Sequence, residues 1–170
     1  MSNYLVLTVI SDDRAGIVEQ VAQTISKYDG NWMESSMARL AGKFAGILLV
    51  EIDASAQESL EQDLAALSSQ GIKITLENSG PQTDEEAHIS CLEIVANDRS
   101  GIVGEISSLL AKNQVNLVSL ETFCESAPMS AGMMFYAHAY TQLPEGMTEE
   151  QLTHLLESLS DDLMVEVVEA

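Results

Sequence analysis

The sequence predicts an α+β protein of two ferredoxin-like βαββαβ units, each an antiparallel sheet with both helices on one face. Three observations carry that expectation. The string Asp13-Arg14-Ala15-Gly16-Ile17-Val18 returns as Asp98-Arg99-Ser100-Gly101-Ile102-Val103, 85 residues later in a chain of 170. Asn31 and Asn116 keep the same offset, as do Lys27 and Lys112, which marks an internal duplication. In each half the hydrophobic period runs strand, helix, strand, strand, helix, strand, an order that builds an antiparallel sheet with helices on one side.

In the first half, Tyr4 to Ile10 is β-branched and apolar and reads as a strand ending at Ser11-Asp12-Asp13. From Gly16 the residues Ile17, Val18, Val21, Ala22 and Ile25 recur at helical spacing. Asp13 stands where an N-cap is expected, Lys27 lies in the last turn where the helix dipole favours a cation, and Asp29-Gly30 stops the helix. Trp32–Leu40 and Phe44–Ile52 read as two strands joined by a tight turn at Ala41-Gly42-Lys43. Ser55-Ala56-Gln57-Glu58 has the capping-box pattern ahead of a Leu60, Leu64, Leu67 stripe. Gly71 breaks that helix, and Ile72, Ile74 and Leu76 alternate with polar residues as a closing strand.

Turn formers and acids without an apolar period make residues 80–87 a linker between a first unit, 1–79, and a second, 88–170. The order then repeats. Ile89–Ala96 is a strand, Ile102 to Lys112 a helix, and Leu117–Cys124 and Met133–Tyr140 are strands joined through Ser126-Ala127-Pro128. Thr148-Glu149-Glu150-Gln151 is a second capping box before Leu152, Leu155, Leu156 and Leu159, and Leu163–Val168 closes the sheet. If Leu7 and Val9 face the helices, Val6, Thr8 and Ile10 face away. That apolar outer face calls for the other half or a second chain, so homo-oligomer formation is one expectation.

Bulk properties narrow the function. With 27 acids against seven bases the formal charge is −20. The seven bases are scattered, whereas nucleic-acid binding needs clustered Lys and Arg on several phosphates. Direct nucleic-acid binding is not expected on that ground; a basic protein partner is one reading of such a surface, and plain solubility explains it at least as well. No apolar run reaches the ~18 residues of a membrane span, and no signal-peptide pattern opens the chain. Cys91 and Cys124 have no metal-ligand spacing and fall on non-adjacent strands, so they read as reduced core thiols of a cytoplasmic protein. His88, His138 and His154 are isolated. No nucleophile–base pair, metal cluster or phosphate loop is present, and we expect no catalytic residue, no metal and no cofactor.

An apolar strand, then Asp-Arg-x-Gly-Ile-Val opening a helix, then Asn beginning the second strand, all within βαββαβ, resembles the ACT domain, a family of regulatory modules that sense amino acids. The proline usual before the glycine is replaced by Ala15 and Ser100. The resemblance covers nearly the whole chain, twice over. A free-standing pair of such units without a catalytic domain is similar to the glycine cleavage system transcriptional repressor group.

That resemblance implies ligand positions at Ala15, Gly16, Ile17 and Asn31 and at Ser100, Gly101, Ile102 and Asn116. Free N–H groups at the two helix N-termini would meet an amino-acid carboxylate, and asparagine oxygens its ammonium. The plain alternatives are that the glycines only make a tight turn and that the asparagines only bond local backbone at a strand start. Arg14 and Arg99 either hold the carboxylate or pair with Asp12, Asp13 or Asp98. In one unit the glycine and the asparagine sit at opposite ends. Two units packed antiparallel would bring the Gly16 loop to Asn116 and the Gly101 loop to Asn31. The implied function is a non-catalytic sensor of a glycine- or serine-sized amino acid that regulates transcription of glycine cleavage metabolism through a protein partner. The alternative is a regulatory subunit of an amino-acid biosynthetic enzyme.

Overall fold

A computed structural model of the chain describes residues 1–83, 88–129 and 132–169. Contacts divide the chain into two units, 1–84 and 85–170. The first contains β1 (Ser2–Asp12), α1 (Ile17–Ser26), β2 (Asn31–Leu40), β3 (Lys43–Asp53), α2 (Gln57–Ala66) and β4 (Lys73–Ser79). The second contains β5 (Ile89–Asn97), α3 (Ile102–Lys112), β6 (Asn116–Ser126), β7 (Met133–Gln142), α4 (Glu149–Glu157) and β8 (Met164–Val168). The sheets run β2-β3-β1-β4 and β6-β7-β5-β8, antiparallel at every step. This is the βαββαβ order expected from the sequence. Residues 84–87 of the expected linker lie outside the described residues, as do 130 and 131 in the β6–β7 connection.

Strand alternation decides which face is covered. Leu5, Leu7 and Val9 of β1 and Leu48, Val50 and Ile52 of β3 are buried against Ile17, Val21 and Ile25 of α1 and Leu60 and Leu64 of α2. Their neighbours Thr8, Ile10 and Ile47 are exposed on the other face. In the second unit Leu92, Ile94 and Ala96 do the same against Ile102, Ile106 and Leu110 of α3 and Leu152 and Leu156 of α4. Burying such side chains supplies roughly 1.5–3 kcal/mol each, enough in number to hold a unit whose surface is large for its volume.

Local chemistry departs from expectation at several ends. Asp13 and Asp98 are not N-caps: Gly16 and Gly101 occupy that position, without a side-chain cap. The Ser55 capping box does not form either. Its hydroxyl and N–H both bond the Asp53 carboxylate, at 2.6 and 2.9 Å, and Ala56 is left as the N-cap. Thr148 and Gln151 do close the second capping box. The first helix turns off through Asp29, not Gly30, at φ 58°. Gly30 answers crowding instead: a Cβ there would lie 2.7 Å from Ile25 Cγ2. Ala41 and Gly42 both have positive φ (50° and 78°), the conformation of a two-residue hairpin turn matched to strand twist.

Candidate functional site

Each unit presents one loop of the same build. β1 ends at Asp12, the Asp13 N–H donates to the Gly42 carbonyl at 2.9 Å, and Gly16 opens α1 at φ 90°, ψ 2°. In the second unit the Asp98 N–H donates to the Met133 carbonyl at 2.9 Å, and Gly101 opens α3 at φ 87°, ψ 0°. The left-handed conformation is the reason for glycine, since a Cβ at either position would meet nothing within 4 Å. The glycine carbonyls accept the first helical bonds, from Gln20 and Glu105, both at 3.0 Å. The first N–H groups of a helix have no intrahelical acceptor, and the dipole there favours negative charge.

The first loop borders a cleft of about 260 Å³ lined by Asp13, Arg14, Gly16, Ile17, Val18, Glu19 and Phe44. Ile17 and Ile102 bury their side chains in the cores, so only their backbone is available. Ala15 and Ser100 are exposed at the loop tips. Val18 and Val103, next along the motif, leave more than 40% of their surface exposed and do not join the cores, against the helical-stripe reading.

The arginines are engaged elsewhere. Arg14 donates to the Gln70 carbonyl at 3.1 Å, at the end of a 3-10 turn. Arg99 pairs with Glu105 at 2.5 Å, and that carboxylate holds the guanidinium's pKa up while its own is held down. The expected aspartate partners bind other bases, Asp12 with Lys43 and Asp13 with Arg39. Glu19 and Glu105 stand in the first turns of the two helices.

Asn31 and Asn116 begin β2 and β6 and are exposed. Among the described residues neither carboxamide bonds a side chain or backbone group, so local strand capping does not explain them. Asn31 pairs with Glu51, which pairs with Tyr4, while the glycine loop follows Asp12 at the other end of β1. That places them about 26 Å apart along the sheet at ~3.3 Å per residue, too far for one small ligand within a unit. Both edge strands carry an extra residue that the sequence pattern does not show. A bulge follows each asparagine, at Met33 between Trp32 and Glu34 and at Val118 between Leu117 and Ser119. Both bulge residues are exposed apolar side chains, and such bulges re-aim side chains beside functional sites. The alternating pattern of an edge strand masks a single extra residue, so only register could find it.

Cys91 is buried, but Cys124 is exposed and not a core residue. Among the described residues no group of three or more His, Cys, Asp or Glu is placed to hold a metal, and no helix is long and apolar enough to cross a membrane.

The two units form a tandem of ACT-like fold. Residues 3–77 match the family model of the ACT domain. No curated protein matches the chain. The whole chain superposes on 99% of an unknown protein from Galdieria sulphuraria, at 26% identity and a TM-score of 0.78. It also superposes over its whole length on 99% of a candidate glycine cleavage system transcriptional repressor, at 18% identity and a TM-score of 0.75. The latter likeness establishes the shared fold.

Proposed function

We propose that the protein is a non-catalytic, cytoplasmic regulator that binds a small amino acid and passes the signal to a protein partner. The observation that carries this reading is the repeated pairing of a glycine-capped helix start with an unbonded asparagine at a strand start, in both units. The backbone N–H groups at Ala15, Gly16 and Ile17, and at Ser100, Gly101 and Ile102, meet the carboxylate. The carboxamide oxygens of Asn31 and Asn116 meet the ammonium. The two ends of one unit lie too far apart to hold one small ligand between them. Exposed Val18, Met33, Val103 and Val118 beside these positions are apolar surface that a partner would cover.

Among the described residues, Arg14, Arg39 and Lys43 at the first loop and Arg99 at the second are engaged by other groups, and Glu19 or Glu105 stands in each first turn. A ligand with a compensating ammonium suits that balance better than a dianion. The likeness to a candidate glycine cleavage repressor supports transcription of glycine cleavage metabolism as the output. The formal charge of −20 supports a partner, not this chain, making any DNA contact. A regulated biosynthetic enzyme is the other partner class, and co-purification separates the two.

A thermal-shift screen of the twenty amino acids tests the sensing function, because a ligand that binds only the folded state raises apparent stability. The expected result is a concentration-dependent rise with glycine or serine. No shift at millimolar concentration with any amino acid overturns it.

A further inference from the structure

The two units share a fold but not an outer sheet face. In the second unit, register places Glu121, His138, Glu93 and Glu166 in one row straight across β6, β7, β5 and β8. The same row of the first unit is Ser36, Ile47, Thr8 and Thr75. The next row carries Phe123 opposite Tyr136, where the first unit has Ala38 opposite Ala45. The Phe123 and Tyr136 rings stack with centroids 5.0 Å apart and planes 10° from parallel. His138 Nε2 lies 3.5 Å from a Glu93 oxygen.

This face works against the isolated sheet. Glu93 and Glu166 are directly opposite in register, and like charges so placed are destabilising. Phe123 remains 45% exposed, Glu121 and Glu166 are exposed, and the His138 and Glu93 side chains are about 40% exposed. Local rescue is scarce. The half from 85 to 170 has two bases, Arg99 and Lys112. Arg99 is engaged by Glu105, and Lys112 closes α3.

We infer that this face docks an arginine-bearing segment of the partner protein. Carboxylates in a row pair with guanidinium groups, and a stacked aromatic pair offers a flat surface on which guanidinium stacks. A second copy is the poorer occupant, since it would bring the same carboxylate rows together. A nucleic acid is repelled outright. The inference rests on the reading that the protein acts through a protein partner, and it names that partner's contact chemistry.

The test uses the full chain and fluorescence anisotropy with short labelled oligo-arginine and oligo-lysine peptides. The expected result is salt-sensitive binding that favours arginine. Glu93→Thr with Glu166→Thr, and separately Phe123→Ala with Tyr136→Ala, install the side chains that the first unit carries on the same pleat. Each pair should weaken oligo-arginine binding about tenfold or more, as loss of a contact centre does. Glu145→Gln with Glu150→Gln removes the same charge from another part of the unit and should change binding less than about twofold, a rim-charge effect. Absence of binding, equal affinity for the two peptides, or equal loss in the Glu145/Glu150 variant overturns the proposal. So does a change in sedimentation of the Glu93/Glu166 variant without peptide, which would make the face a self-interface. None of these outcomes alters the amino-acid thermal shift, so the sensing reading stands or falls separately.

Discussion

Gly16 and Gly101 hold the same left-handed backbone, φ 90° and 87° with ψ near zero, at the start of corresponding helices. Open space surrounds both positions, so substitution acts through the backbone alone. Gly16→Ala and Gly101→Ala should each destabilise the protein by about 1–2 kcal/mol, the cost of that conformation for an L-residue. Urea unfolding measures it. A neutral effect would show that the loop relaxes out of the left-handed region.

Asn31→Ala and Asn116→Ala should separate binding from folding. Both residues are exposed, so the unliganded melting point should move by no more than about 0.5 kcal/mol equivalent. The glycine- or serine-induced rise should shrink or vanish. Retention of the full rise in both variants would remove the asparagines from the site.

Acid titration probes the Asp53 turn. The Ser55 hydroxyl and N–H, with the N-terminal ammonium, lower the Asp53 carboxyl from 3.8 to about 2. A carboxylate depressed in the folded state stabilises it fully above the unfolded value. The contribution is lost as pH falls through about 2. Ser55→Ala removes the hydroxyl bond, so the Asp53 resonance should titrate at higher pH in an NMR series and acid unfolding should begin earlier. An unchanged titration would assign the shift to the Ser55 N–H and the N-terminal ammonium.

The hairpin and the cap give opposite tests of local chemistry. Ala41 sits at φ 50°, where asparagine is better accommodated. Ala41→Asn should therefore stabilise by a few tenths of a kcal/mol up to about 1 kcal/mol. Thr148→Ala breaks the working capping box and should cost about 1 kcal/mol. Thermal melts of both variants, with shifts of opposite sign, check the pair.

Period-two and helical hydrophobic patterns located the strands and the helices from residues alone, because burial on one face leaves a repeat along the chain. The motif likewise marked both glycine loops. The pattern was silent where competition between neighbours decided the outcome. Asp53 captured Ser55 and dissolved an expected capping box, Glu105 took Arg99, and glycine displaced aspartate as the N-cap. The bulges at Met33 and Val118 were hidden for the same reason, since an extra residue changes pairing without changing composition. The glutamate row needed register as well: Glu93, Glu121 and Glu166 are scattered in sequence and become neighbours only when four strands align. What the chain carries by itself is which residues seek the interior. Which polar groups meet, and on which face, is a property of the folded sheet, because hydrogen bonds and ion pairs depend on distances that only pairing between strands creates.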